Sequence, residues 1–354
     1  MSRSLTSPVD AAFTLSLPKS ELHAHLTGSI TPQRLHEMWT QRVHSDPHCR
    51  LGDPLEVLSS SRTWNISTFF PLFSSYIYTL CSTRESIIYS TNSVLQDFKD
   101  DGVVYLELRT TPRSSESVSK EAYVALVLDC IEHFPHRDVM HTFLILSIDR
   151  RNNLSQALEV VDLALKYRSK GIVGIDLCGD PTKGDVSVFA PAFVKAKQHG
   201  LKVTLHFAEV PASSTELELE TLLGFGPDRV GHVVCVEEGG QVVREIERKG
   251  VGVELCVSCN VQAGMTEGGI EGHHFGWWWR SQGAIALCTD DVGIFGSPLS
   301  NEYHLVAKHF GLSQNELVEL SSRAIGCIFG GEDEKERLRS LLDKFRHQCC
   351  HLGG

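Results

Sequence analysis

Several things missing from this sequence narrow what the protein can be. No run of apolar residues approaches the roughly 20 that a transmembrane helix needs, and Met1 to Asp10 lacks the apolar centre of a signal peptide. Neither a membrane nor a secretory route is expected, which leaves the cytoplasm. Lysine and arginine number 33 against 44 acidic residues, for a formal charge of −11, and they form no basic cluster. Nucleic-acid surfaces neutralise phosphates with such clusters, so a small-molecule partner is expected and a nucleic acid is not. Eleven cysteines are scattered from Cys49 to Cys350 without the spacing of a disulfide framework. Several, such as Cys178 and Cys288, sit inside apolar runs and read as reduced core thiols. Cys256 and Cys259 form one C-x-x-C, but no second pair follows, and core packing accounts for them.

What is present is an ordinary globular composition: 354 residues, 42% hydrophobic and 22% charged. A short arm through Leu15, Leu17 and Pro18 leads into Glu21-Leu22-His23-Ala24-His25-Leu26-Thr27-Gly28. On a strand, residues two apart share a face, so His23 and His25 would present both imidazoles to one spot. Residues 29–75 carry no strand signal; Ile30 to Trp39 is helical in pattern and Ser45 to Trp64 is rich in Pro, Gly and Ser. This reads as an inserted helical lid. From Thr83 the pattern is regular, with a helix to Lys99 stopped by Asp100-Asp101-Gly102. Strand-like runs then fall at Val103 to Leu108, Thr142 to Ile148, Gly171 to Leu177, Lys202 to Phe207, Arg229 to Val234, Val251 to Val257 and Ala284 to Cys288. Helical patterns separate most of them: Lys120 to Glu132, Ser155 to Ser169, Ser187 to His199, Thr215 to Leu223 and Gly240 to Lys249.

With the histidine strand these make eight strands joined mostly by helices, the pattern of a (β/α)8 TIM barrel of α/β class. The whole chain, 1–354, reads as one domain. Helices at Ser300 to Phe310, Ser313 to Phe329 and Asp333 to His347 would flank the barrel, over 300–347. Such barrels gather the C-terminal ends of all strands at one mouth. Those ends read His23-Ala-His25, Arg109-Thr110-Thr111-Pro112-Arg113, Asp149-Arg-Arg, Asp176-Leu-Cys-Gly179-Asp180, His206-Phe-Ala-Glu209, Gly231-His232, Ser258-Cys-Asn260 and Thr289-Asp290-Asp291. Ionisable residues at nearly every strand end are what an active site needs.

Zinc is the natural centre, because a catalytic zinc takes imidazole and carboxylate ligands and keeps a position open for water. His23, His25, His206 and Asp290 would supply three nitrogens and one oxygen. The fourth strand ends in Leu177-Cys178-Gly179, without the lysine or glutamate that bridges two metals in related barrels, so one zinc is expected. Zinc lowers the pKa of water from about 15.7 toward ~7. His232 could hold that water and take up its proton, or it could be a hydrogen-bonded buried histidine. Glu209, three residues past a ligand, could face a bound ring as proton donor. Asp291, next to a ligand, could bind substrate. Each of these carboxylates could instead steady a ligand histidine.

Leu17-Pro18-Lys19, His23-Ala24-His25-Leu26-Thr27-Gly28-Ser29, Asp176-Leu177-Cys178-Gly179-Asp180, His206-Phe207-Ala208-Glu209, Arg229-Val230-Gly231-His232 and Cys288-Thr289-Asp290-Asp291 closely resemble the adenosine and AMP deaminase family. The match runs in order over nearly the whole chain. The resemblance implies a metal-dependent hydrolase barrel in which water attacks carbon 6 of a purine. It also implies that His23, His25, His206 and Asp290 bind zinc, that Glu209 protonates ring nitrogen 1, that His232 serves the attacking water, and that Gly179 and Asp291 grip the purine. Leu106 to Arg113, Ile148-Asp149-Arg150-Arg151, His273-His274-Phe275-Gly276 and Glu254-Leu255-Cys256 look most like the adenosine deaminase-like branch, known for converting N6-methyl-AMP to IMP and methylamine. By the same resemblance His25, Thr27, Thr110, Thr111, Pro112, Arg113 and Asp149 would contact the nucleotide. Two positions depart from the branch: Ile77 and Tyr78 stand where it has a pocket histidine, and Cys259 stands where Ser is expected. Thr27 replaces the Asp that deaminases of the free nucleoside carry in His-x-His-Leu-Asp-Gly. That Asp would repel a phosphate by ~4 kcal/mol at 4 Å and an effective dielectric near 20, whereas Thr27 donates and Arg113 can pair with phosphate oxygens. Turn capping by Thr27 and a solvated Arg113 are the plainer readings.

The expected protein is thus a monomeric zinc deaminase of a purine nucleoside monophosphate. The competing readings are an adenosine deaminase of the free nucleoside, another hydrolase of the same barrel class, and an inactive barrel serving as a binding module.

Overall fold

Eight apolar runs become eight parallel strands because each crosses a barrel wall once and a helical connection returns the chain to the same side. The computed structural model describes residues 8–58, 64–281 and 283–351. Residues 1–7, and part of the 45–64 stretch, lie outside these. The strands are β1 (Lys19–His25), β2 (Val103–Thr110), β3 (His141–Asp149), β4 (Ile172–Cys178), β5 (Lys202–Phe207), β6 (Arg229–His232), β7 (Gly252–Leu255) and β8 (Ile285–Leu287). They pair in sequence order, all parallel. A parallel bridge from Ala24 to Asp290 closes β8 onto β1. It is held by the His25 amide on the Asp290 carbonyl at 3.0 Å and the Asp290 amide on the His23 carbonyl at 2.7 Å. The residue that seals the barrel is therefore one of the expected metal ligands.

Some elements differ from the sequence expectation. β6 stops at His232 rather than Val234, because His232 (φ 67°) and Val233 (φ 48°) turn into the left-handed region that β-branched residues avoid. β7 stops at Leu255, and a helix begins at Val257, so Ser258, Cys259 and Asn260 lie on helix rather than at a strand end. The N-terminal arm contains a helix, Ala11–Ser16, capped by the Asp10 side chain, which accepts from the Phe13 amide. The helix expected to reach Phe329 ends at Ile325. Within 29–75 the described residues form helices Pro32–Ser45, Pro54–Val57 and Ile66–Leu72. Pro71 interrupts the last of these, and the chain continues as a π-helical turn, Phe73–Ile77. After β8 come helices Leu299–Phe310, Gln314–Ile325 and Glu332–His351. Among the described residues no helix is long and apolar enough to cross a membrane.

Charge, as well as hydrocarbon, fills the barrel. Glu21, Glu107, Arg109, Asp176, Arg229 and Glu254 are all fully buried. Burial at this level requires partners, and these residues supply them to one another. Arg229 lies between Glu107 (2.5 Å) and Glu254 (2.6 Å), and Arg109 reaches Glu254 at 2.9 Å and Asp176 at 3.4 Å. Glu21 accepts from the His23 amide at 2.8 Å and the Thr289 amide at 3.0 Å, tying β1 to the segment after β8.

Candidate active site

At the strand C-termini four ligand atoms converge. Nε2 of His206 lies 3.2 Å from Nε2 of His23 and 3.1 Å from Nε2 of His25. Oδ1 of Asp290 lies 3.3 Å from Nε2 of each of the two β1 histidines. Ligands about 2.0–2.1 Å from a tetrahedral zinc stand ~3.3–3.4 Å from one another, so these spacings fit the metal. The tautomers fit as well. Nδ1 of His23 lies 2.7 Å from Glu254 and Nδ1 of His206 lies 3.1 Å from Asp176, so each carboxylate takes the Nδ1 proton and leaves Nε2 free to ligate. His232 is the fourth ring nearby, and His23, His206, His232 and Asp290 each offer an atom within 4.8 Å of the others. Its Nδ1 is engaged by Asn260 at 3.0 Å and its Nε2 has no partner. His25, at ligand spacing from two of the set, is the better fourth member.

The backbone is contorted to bring these groups together. Asp290 itself has φ 60°, which turns consecutive residues Asp290 and Asp291 to the same centre. Ala208, between His206 and Glu209, has φ 50°. Two glycines make room by steric need: a Cβ on Gly28 would fall 1.4 Å from Oδ1 of Asp291, and one on Gly231 would fall 2.7 Å from the His23 ring. Cys259 also belongs here, since its thiol donates to Oδ2 of Asp290 at 2.9 Å. Cys256 and Cys259 are buried and free, as core packing implies, but the second of them also touches the metal set.

Above this centre is a tight cleft of ≈ 60 Å³. Of the expected nucleotide contacts, His25, Thr27, Thr110, Thr111, Arg113, Asp149, Gly179 and Asp291 line it, joined by Glu209. Pro112 is buried and does not. His23 and His232 lie beneath its floor. Phe69, Phe70, Phe73 and Tyr78 form an aromatic wall, so Tyr78 occupies the cleft while Ile77 is buried behind it. Asp149 is already paired with Arg151 at 2.5 Å. Gly179 (φ 97°) packs against Asp149, where a Cβ would come within 2.8 Å of Oδ1. Thr110 shares a hydrogen bond with Tyr123 at 2.6 Å.

Three cleft groups are unsatisfied. Glu209 is buried with Oε2 unpartnered; burial first, then the neighbouring Asp290, pushes its carboxyl up to about 8. Asp291, with Oδ1 unpartnered, is raised well above the carboxylate range by the same burial and by Asp290. Burial lowers His25 to about 4, which keeps it in the neutral form a metal requires. The third is Arg113: its guanidinium lies 4.0 Å over the Tyr78 ring and 5.0 Å from the Tyr123 ring, and both terminal nitrogens lack hydrogen-bond partners.

Sequence reading quoted Asp176, Arg229 and Glu254 within strand ends and motifs but gave none of them a role. The available signal was a charged side chain inside an apolar strand, as in Gly252-Val253-Glu254-Leu255, which must find a partner. Arg109, expected at the mouth, borders the cleft and pairs with Glu254, Asp176 and the Leu22 carbonyl.

This chain is similar to known proteins over nearly its whole length. The N6-methyl-AMP deaminase-L of Xenopus laevis is 36% identical over 345 residues, covering 95% of this chain and 97% of the relative. The crystal structure of the Arabidopsis N6-mAMP deaminase superposes with a TM-score of 0.87 at 35% identity, covering 94% of this chain and 99% of that one. An Arabidopsis structure complexed with IMP gives the same TM-score at 34% identity, covering 94% and 98%. With residues 18–345 matching the adenosine deaminase family model, the chain belongs to the adenosine deaminase family.

Proposed function

We propose that this chain is a zinc-dependent hydrolase of purine nucleoside 5′-monophosphates substituted at carbon 6, converting N6-methyl-AMP and water to IMP and methylamine. The names of its relatives and the IMP complex of the Arabidopsis structure support the reaction. The observation that carries the monophosphate is Arg113. A guanidinium sequestered between two tyrosine rings with no carboxylate partner is costly, and a bound phosphate would relieve that cost with a bidentate pair. Thr27 lines the same cleft as a neutral donor where a carboxylate would repel the anion.

His23, His25, His206 and Asp290 would hold one zinc, which when bound supplies Lewis acidity and water of lowered pKa. Its four ligands, Glu209 and the phosphate-binding groups all come from one chain, which suits a monomer. Glu209, kept protonated by burial, gives its proton to ring nitrogen 1 and so makes carbon 6 electrophilic. His232 holds the attacking oxygen from below. Asp291 and the Gly179 backbone grip the purine, and the aromatic wall excludes water. Hydroxyl adds to carbon 6 as one water proton restores the Glu209 carboxyl, the carbon becomes tetrahedral, and the second water proton leaves with methylamine as the carbonyl forms. The site's affinity is best spent on that tetrahedral state. The test is kcat/KM for N6-methyl-AMP, AMP, N6-methyladenosine and adenosine. A strong preference for the two monophosphates, with methylamine released from the first, is expected; adenosine turned over equally well would overturn the assignment.

A further inference from the structure

The His273-His274-Phe275 run has no part in the chemistry so far. In the folded chain it stands directly behind His232. The amide of Phe275 lies 3.0 Å from Nδ1 of His273. A backbone N–H can only donate, so this Nδ1 carries no proton and the ring is neutral with its proton on Nε2. That Nε2 lies 3.1 Å from Oδ1 of Asn260 and donates to it. The other end of the Asn260 amide, Nδ2, carries only hydrogens and lies 3.0 Å from Nδ1 of His232. Nδ1 of His232 is therefore an acceptor. The one remaining ring proton sits on Nε2, which is buried without a partner, in a ring whose centroid is 4.9 Å from that of His23 and 5.1 Å from that of His206.

We propose that Asn260 and His273 are positioning residues that fix the ring proton of His232 on Nε2, so that His232 meets the reacting oxygen as a hydrogen-bond donor. The proposal rests on the placing of His232 given above, and it departs from the expectation that His232 takes up the water's proton. The links reverse only together. To free Nε2, the Asn260 amide must turn over and His273 must move its proton to Nδ1, where it would face the Phe275 N–H. His232, Asn260 and His273 are all buried, so water does not compete at any link. The second histidine secures the backbone: Nε2 of His274 donates to the His232 carbonyl at 2.6 Å, bracing a residue held at φ 67°. The two rings stack with centroids 4.0 Å apart. Asn260 is restrained further by a contact from Nδ2 to the Met265 sulfur at 3.5 Å.

The discriminating variant is Asn260→Asp, which keeps the side chain's shape but presents an acceptor at both ends. It still accepts from His273 and now requires a proton on Nδ1 of His232. The measurement is the nitrogen spectrum of 15N-histidine-labelled, metal-loaded protein, with His232 assigned by comparison with His232→Gln, alongside kcat and KM. Wild type is expected to show the proton on Nε2. Asn260→Asp should show it on Nδ1, with kcat reduced ~10²–10⁴-fold, as for loss of an oxyanion donor or a wrong tautomer, and with KM and metal content little changed. A wild-type proton on Nδ1, or an Asn260→Asp spectrum that keeps it on Nε2, overturns the proposal. If the tautomer reverses while kcat stays unchanged, the donor role falls, and with it the placing of His232 at the reacting oxygen. Should Asn260→Asp not fold, the wild-type spectrum alone decides between the two tautomers.

Discussion

Glu254 on β7 holds the imidazole of His23 on β1, with Oε2 2.7 Å from Nδ1 and both side chains fully buried. The same carboxylate is shared with Arg109 at 2.9 Å and Arg229 at 2.6 Å. The candidate metal site and the charged barrel core therefore meet in one side chain. Burial works against its charge, yet the two guanidiniums hold it well below the usual carboxylate range. Glu254→Gln should weaken metal affinity ~10–100-fold and destabilise the fold by ~3–5 kcal/mol, the cost of stranding buried charge. Chelator competition and urea unfolding measure the two effects. Near-normal values in both would show the carboxylate to be idle.

Gly231 offers a separate route to the same pair. A Cβ there would sit 2.8 Å from Nδ1 of His23 and 3.2 Å from Oε2 of Glu254, both fully buried. Gly231→Ala should therefore displace His23 and empty the metal site, beyond the ~1–3 kcal/mol expected of overpacking alone. Metal content of the purified variant is the readout, and full occupancy would count against the tight contact.

Glu209 should act as an acid. Glu209→Gln is expected to lose ~10²–10⁴ in kcat with metal retained. Because the protonated form is the active one, wild-type kcat should fall as pH rises through the Glu209 pKa, which burial pushes up to about 8 and a bound cation draws lower. A kcat profile with no descending limb by pH 9, or a Gln variant that loses metal instead of turnover, would assign the carboxylate another task.

At the far end of the cleft, Thr27→Asp should cost the monophosphates ~10³-fold in kcat/KM, from ~4 kcal/mol of repulsion at about 4 Å, and leave adenosine unharmed. Arg113→Met should cost the monophosphates too, yet raise the melting temperature without nucleotide, since it removes a cation with no counter-charge. A variant less stable than wild type would mean that the tyrosine rings already compensate the guanidinium.

The eight strands were legible because each is an apolar run of strand length, and the convergence of His23 and His25 because alternation on β1 places them together. Where β6 and β7 stop was not legible. Val233 is a strong strand former, yet its backbone is left-handed, with its amide donating both to the Phe207 carbonyl on β5 and to the Gly231 carbonyl two residues back. The role of Glu254 was hidden for another reason: its partners lie 231, 145 and 25 residues away, a separation no local pattern encodes. Arg109 was legible as a strand-end residue bordering the cleft, but its pairing with Glu254 and Asp176 was not, because a strand-end arginine looks the same whatever it pairs with. Cys259 passed as packing because a thiol gives no sign of the carboxylate it will meet.

The charged interior also governs how the chain reaches its fold. Glu21, Glu107, Arg109 and Asp176 arrive with the first four strands, while Arg229 and Glu254 arrive with the sixth and seventh. A half-assembled barrel would enclose Glu107 without Arg229, and Arg109 with Asp176 but without Glu254, and an unpaired buried ion costs several kcal/mol. Partial sheets must then keep these side chains in water and stay open. The late strands thus carry counter-ions for the early ones, and a fragment truncated before β6 would lack the arginine that pairs with Glu107.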